Sequence, residues 1–212
     1  MVSQVRCFLM SDEPIRDLQE APTRSKTPDA VRSIRDWIVV ILVALIAALL
    51  VRTYVLQQFY IAGPSMETTL FQDNRVLVNK LSYRLHDVHR GDVVVFDRVT
   101  ADGAKINHDD LIKRVIALPG ESIEIRSCDV YINGTKLVEK YLDKSTLSEA
   151  DPAARCRVPD MQIQDVPIEQ VFVMGDNRAE SFDSRSFGPI EIDRIVGRAF
   201  VIVWPISNWG LL

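Results

Sequence analysis

One uninterrupted apolar run, Trp37 to Val51, constrains this chain more than any other feature: fifteen residues without a charge. As a helix it would be apolar on every face, so it belongs in a bilayer or in a protein core, not on an aqueous surface. Fifteen residues rise only about 22 Å, short of a hydrocarbon core of ~30 Å. Continuing through Arg52, Thr53, Tyr54, Val55 and Leu56 supplies the missing length. Arg52 can snorkel to the headgroups, and Trp37 and Tyr54 suit the two interfaces. We therefore expect a transmembrane signal-anchor helix over residues 36–56, with a buried core helix as the alternative. A cleaved secretory signal fits less well. The 36 residues ahead of the run are long for an n-region, and no Ala-x-Ala site follows closely. Arg24, Lys26, Arg32 and Arg35 precede the run, whereas only Arg52 lies at its far edge. The positive-inside rule then leaves the N-terminus in the cytoplasm and residues 57–212 outside it, in a membrane-bound, single-pass arrangement.

Residues 1–35 are polar, carry Pro14, Pro22 and Pro28, and lack sustained periodicity, which predicts a disordered cytoplasmic tail. Past the anchor the pattern turns to strands: Arg75–Asn79, Asp92–Phe96, Asp110–Ala117, Ser122–Ile125, Asp129–Ile132, Thr135–Leu137, Val171–Met174 and Arg198–Trp204. Asn133-Gly134 between two of them is a strong hairpin signal. Asn133-Gly134-Thr135 also matches a glycosylation acceptor, but the turn explains it fully. Many short β-branched runs with turn punctuation predict a mainly β domain with coiled sheets. Residues 138–168 read as an irregular insertion. The net charge of −4 is spread over mixed signs, so no basic stripe argues for nucleic acid. Of the three cysteines, Cys7 would stay reduced inside; Cys128 and Cys156 lie where disulfides are permitted and are the candidate pair, with two separate thiols as the alternative. The absence of a CxxC pair argues against structural zinc, and no metal or organic cofactor is implied.

The chemistry rests on a serine and its base. Ser65 follows Ile61-Ala62-Gly63-Pro64, just beyond the anchor. An ordinary turn into a helix would look the same, and the second glycine of a Gly-x-Ser-x-Gly elbow is missing, which disfavours an α/β-hydrolase. A histidine base is poorly supplied. His86 and His89 fall in a charged loop, a weak metal pattern at best, and His108 in the polar turn Asn107-His108-Asp109-Asp110. Lysine can serve if burial keeps it neutral. Lys113 sits in a predicted strand with Leu111 and Val115 on its face by period two. Such a break in an apolar strand marks either a functional position or the solvent face of an edge strand.

Three blocks occur in order: Ile61-Ala62-Gly63-Pro64-Ser65-Met66 after the anchor, Lys113-Arg114 before Leu118-Pro119-Gly120-Glu121, and Gly175-Asp176-Asn177-Arg178 followed by Ser181, Asp183, Ser184 and Arg185. Together they resemble the bacterial type I signal peptidases (leader peptidases). The resemblance covers most of residues 57–212 and implies a catalytic domain of two coiled antiparallel sheets outside the cytoplasmic membrane. It implies that Ser65 is the nucleophile, Lys113 the general base and Ser181 the serine that orients the lysine amine. Asp183 and Arg185 would be the charged pair supporting that loop. Gly63 departs from members that carry a serine there, whose hydroxyl serves the oxyanion hole. Phe59 and Ile61 align with positions lining the pockets for small substrate side chains, although both could equally be membrane-interface anchors. The implied partners are the signal peptides of exported preproteins and the lipid bilayer. A LexA-like self-cleaving repressor shares the fold and dyad, but the anchor and the lack of a helix-turn-helix count against it. A membrane-anchored β-scaffold would leave all three blocks unexplained.

Overall fold

The computed structural model describes residues 29–103, 105–142 and 156–212. By its contacts the chain divides into a unit ending at Ala44 and a second from Leu45 to Leu212. Helix α1, Asp29–Leu50, begins upstream of the start expected at residue 36, so part of the expected tail is helical. The rest of that tail, with Cys7, lies outside the described residues. A π-helical turn, Val51–Val55, prolongs α1. At Leu56 the backbone switches to extended angles, φ −122° and ψ 132°, so the helix stops one residue short of the expected end. Residues Ser33–Val55 form the single helix, among the described residues, that is long and apolar enough to cross a membrane. Its 23 residues correspond to about 34 Å of helix, enough for the ~30 Å hydrocarbon core.

The second unit is built from antiparallel sheets. The larger has eight strands in the order β1 (Leu56–Tyr60), β2 (Arg75–Asn79), β11 (Ile195–Trp204), β3 (Val93–Asp102), β4 (Lys105–Ala117), β9 (Gln170–Met174) and β10 (Ile190–Glu191), with β12 (Gly210–Leu211) also on β11. The smaller runs β7 (Thr135–Lys136), β6 (Asp129–Ile132), β5 (Ser122–Arg126) and β8 (Met161–Asp165). Strands β5 and β6 alternate as their sequences predict, burying Ile123, Ile125, Val130 and Ile132. Asn133 and Gly134 both take positive φ, 49° and 77°, the mirror-image turn that matches strand twist. By contrast β3, β4 and β9 carry runs buried on both faces, because apolar clusters pack against each side of the large sheet.

The structure differs from the sequence reading at β1, at β8 and in the outer half of the β3–β4 hairpin, and adds the two-residue strands β10 and β12. β1 carries two glutamines and lacks apolar alternation, and its first residue, Leu56, falls in the expected anchor. β8 lies inside the segment expected to be irregular; Met161-Gln162-Ile163-Gln164-Asp165 is an edge strand with little buried surface, so apolar alternation is weak. The outer half of the β3–β4 hairpin is polar on both faces, which reads as a turn, yet its backbone pairs through to Asp102 opposite Lys105. His108 is therefore in a strand, opposite Val99, and not in a turn.

Candidate active site

Three elements converge on Ser65. The first is a short 3-10 turn, Pro64–Met66, opened by Pro64 at its start. Met66 and Leu70 are wholly buried beside Ile61 in the core cluster beneath β2 and β11, which anchors the loop from below. The second is β4, whose Lys113 pairs with Val94 of β3, two positions along from Leu111 opposite Phe96. Leu111, Val94 and Val115 belong to one apolar cluster, so the lysine stem runs over apolar surface and only 3% of the residue is exposed. The third is the turn after β9, Gly175 to Arg178, held by the carboxylates and guanidiniums that follow it.

Lys113 Nζ lies 2.8 Å from Ser65 Oγ and 2.8 Å from the Ile112 carbonyl oxygen. Burial pushes the Lys113 amine down. Asp183 and Asp176 pull it back up and Arg185 lowers it again, leaving it at about 8 against an ordinary 10.5. Desolvation dominates because the residue is almost wholly buried and no carboxylate touches the amine directly. An amine of this kind is substantially neutral in mildly alkaline solution and can accept a proton from a hydroxyl at hydrogen-bond distance.

Ser181 is 1% exposed, but its hydroxyl has no well-formed hydrogen bond to Lys113 or to any other described group. It approaches Asp183 closely enough to help hold that carboxylate ionised. The expected lysine-orienting contact is thus absent from this arrangement, and the amine is oriented by the Ile112 carbonyl instead. Asp183 caps the short helix α2 (Ser184–Phe187). Its carboxylate receives Arg185 Nε and Nη2 at 2.8 Å each and the Gly175 amide at 2.9 Å. Burial pushes the Asp183 carboxyl up, but the Arg185 guanidinium outweighs it and holds the group below the ordinary carboxylate range. Arg185 reaches on to the Arg178 carbonyl at 2.8 Å. Asp183 and Arg185 accordingly brace the 175–178 turn from beneath.

That turn in turn holds the serine. Asn177 N–H donates to the Ser65 carbonyl at 3.1 Å. Gly175 is packed so tightly that a β-carbon there would collide with the Ser65 carbonyl oxygen and the Ser181 side chain. Gly63, in contrast, has an ordinary extended backbone and open space where a side chain would project. Phe59 and Ile61 do share one face, but Ile61 is buried in the core beside Met66, and Phe59 packs half-buried at the edge of the same cluster.

A second tier of residues, some of them inside the motif blocks, has no role assigned from the sequence. Arg114 grips Asp176 through Nε–Oδ1 at 2.9 Å and Nη2–Oδ2 at 2.6 Å, and Thr69 donates to the same carboxylate at 2.5 Å. Arg178 is paired with Glu139, Nη1 to Oε2 at 2.9 Å and Nη2 to Oε1. Tyr141 donates to Glu139 at 2.6 Å and lies with its ring 4.0 Å from the Arg114 guanidinium. Arg114 could have been flagged, since it breaks an apolar strand just as Lys113 does. Glu139 and Tyr141 carry no local signal, because their partners are distant in sequence.

His108 is exposed and pairs with Asp97, Nδ1 to Oδ2 at 2.7 Å, on the outer hairpin; it is not among the groups that contact Ser65 or Lys113. Among the described residues no cluster of His, Cys, Asp and Glu could hold a metal ion. Cys128 and Cys156 are joined as a disulfide, with Cα atoms 5.8 Å apart. It ties the β5–β6 turn to the segment whose Arg157 N–H donates to the Arg178 carbonyl.

A serine with a buried lysine at hydrogen-bond distance, on a mainly antiparallel β frame, defines the class: a serine peptidase. The family model "Signal peptidase, peptidase S26" matches residues 34–204, and the chain belongs to that family. Similar proteins include "Probable signal peptidase I-2" of Synechocystis, 41% identical over 169 residues covering 80% of this chain and 72% of that one. A second from the same organism, "Probable signal peptidase I-1", is 38% identical over 89% of this chain and 91% of its own length. "Signal peptidase I" of Leptolyngbya laminosa is 34% identical over 95% of each. The crystal structure of a signal peptidase I from Enterococcus faecalis is 32% identical, covers 53% of this chain and 97% of that one, and superposes with a TM-score of 0.42.

Proposed function

We propose that this chain is a membrane-bound endopeptidase that removes signal peptides from exported preproteins, using Ser65 and Lys113 as a catalytic dyad. The observation that carries the reading is the 2.8 Å approach of Lys113 Nζ to Ser65 Oγ, with the amine buried and lowered to about 8. Neutral Lys113 takes the Ser65 proton as Oγ attacks the scissile carbonyl. The resulting tetrahedral oxyanion is met by the Ser65 backbone N–H. The ammonium then protonates the leaving amine, giving the mature protein and an acyl-enzyme on Ser65. Water, deprotonated by the same lysine, releases the signal peptide. Ser181, Asp183 and Arg185 support this geometry from beneath, and Phe59 and Ile61 shape the ground on which small substrate side chains rest. The substrate adds as an extended strand, with backbone hydrogen bonds for affinity and alternate side chains for specificity.

Residues Ser33–Val55 hold the enzyme in the bilayer, with the N-terminus cytoplasmic and the catalytic domain outside. The anchor acts by co-localisation with membrane-inserted substrate and contributes no catalytic group. Cleavage of a signal-peptide substrate ending in Ala-x-Ala by the intact protein, and its loss in folded Ser65→Ala and Lys113→Ala variants, tests the dyad. Full activity in folded Lys113→Ala protein would remove the lysine from the mechanism.

A further inference from the structure

The segment leaving β7 packs back against the active-site loops through two side chains, Glu139 and Tyr141, neither of which touches Ser65 or Lys113. We infer that both are positioning residues for the Ser65–Lys113 pair, an inference that rests on the functional reading above. Glu139 engages both terminal nitrogens of the Arg178 guanidinium. That leaves Arg178 Nε free to donate to the Gly175 carbonyl, at 3.1 Å. A guanidinium is a rigid planar fork, so the carboxylate that fixes two of its nitrogens fixes the direction of the third. The turn it restrains is the one whose Asn177 N–H holds the Ser65 carbonyl, and whose Gly175 has no clearance from that same carbonyl. Glu139 thus sets the height of the serine loop over the lysine through a chain of short, directional bonds.

Tyr141 completes the clip from the other side. Its hydroxyl donates to Glu139 Oε1 at 2.6 Å, its ring lies 4.0 Å from the guanidinium of Arg114, and its carbonyl accepts from Thr68 Oγ1 at 3.4 Å. One residue therefore touches the serine loop three positions past Ser65, the neighbour of Lys113 on β4, and the carboxylate that orients Arg178. The groups are largely removed from water: the Arg178 side chain is 4% exposed and that of Glu139 10%. Burial pushes the Arg178 guanidinium down, but Glu139 outweighs it and keeps it more firmly protonated than an ordinary arginine. The Tyr141 phenol is held well above its ordinary range by burial and by the Glu139 charge. Both groups therefore keep one protonation state through the working range, and the clip is a fixed support rather than a switch.

The test uses the full-length protein in detergent micelles with a signal-peptide substrate, and separates kcat from KM. Glu139→Gln keeps the shape and removes the charge. We expect kcat to fall ~10–100-fold with KM changed less than about twofold, as for a displaced catalytic pair that still binds peptide. Tyr141→Ala should fall similarly. Tyr141→Phe, which keeps the ring over Arg114, should lose only about threefold. Because Glu139→Gln leaves a buried guanidinium poorly paired and lowers stability, Glu139→Gln/Arg178→Met serves as the folding control. It removes the stranded charge and should recover thermal stability while kcat stays low, since Gly175 still lacks its donor. Recovery of kcat in that double variant, wild-type kcat in folded Glu139→Gln, or a rise in KM alone would each overturn the positioning role. Equal cleavage by wild-type and Ser65→Ala protein would instead overturn the functional reading, and the inference with it.

Discussion

Replacing Lys113 by Met should inactivate the protein and stabilise it below about pH 9, with the full gain reached below about pH 8. Lys113 is buried with its amine lowered from 10.5 to about 8. Between those values an unfolded chain binds the lysine proton and the folded one does not, so stability rises with pH across that window. Below it both states are protonated, and the folded protein carries the whole cost of the buried ammonium. At 1.36 kcal/mol per pH unit the cost is ~3 kcal/mol. Methionine has a similar stem and no charge, so it removes that cost. It also removes the hydrogen bonds to the Ile112 carbonyl and Ser65 Oγ, worth ~1 kcal/mol each. The balance is a gain of ~1–2 kcal/mol at pH 7, or a rise in Tm of roughly 2–8 °C for a chain of this size. The ammonium cost falls below the ~2 kcal/mol of lost hydrogen bonds near pH 9, where the sign reverses, and above about pH 10.5 the lysine is neutral in both states and only the hydrogen bonds remain different. Thermal unfolding of both proteins in the same micelles, at pH 6.5, 8, 9.5 and 11, measures the difference. Other titrating groups are common to both proteins and cancel. A Met-minus-Lys stability difference that does not change with pH would refute the claim that burial lowers this amine.

The same shift predicts that the acylation rate climbs through an apparent value near 8 as Lys113 loses its proton; a profile with no inflection between pH 7 and 9.5 under acylation-limited conditions would contradict it. Ser181→Ala and Gly175→Ala should differ in kind. Loss of the Ser181 hydroxyl should lower kcat ~10-fold or more by slackening the Asp183 support, as read from single-turnover rates. The added methyl at Gly175 should displace Ser65 and cost ~100-fold, visible as slowed acylation in folded protein. Gly63→Ser meets no neighbour, so unfolding should move by less than ~0.5 kcal/mol. Its hydroxyl should lower the barrier by up to the ~3 kcal/mol that such a donor can supply to the oxyanion, and an unchanged kcat in folded protein would show that the position does not face it.

Much of this protein is written locally in its chain. The all-round apolar run, the alternation in β5 and β6 and the Asn133-Gly134 turn each depend on residues close in sequence, and each appears where it was expected. Lys113 was legible because an ionisable group in an apolar strand breaks a short-range pattern. Tertiary structure decided the rest. Strands β1 and β8 and the outer hairpin of β3 and β4 are polar enough that only backbone pairing across the sheet makes them strands. Lys113 and Ser65 lie 48 positions apart, and nothing in either segment dictates their 2.8 Å contact. The protonation state of the amine belongs to the assembled cluster around it, since desolvation has no meaning for an isolated strand. Glu139 and Tyr141 show the same limit most plainly. Their neighbours in sequence are unremarkable loop residues, and their partners, Arg178, Arg114 and Thr68, are brought to them only by the packing of the two sheets.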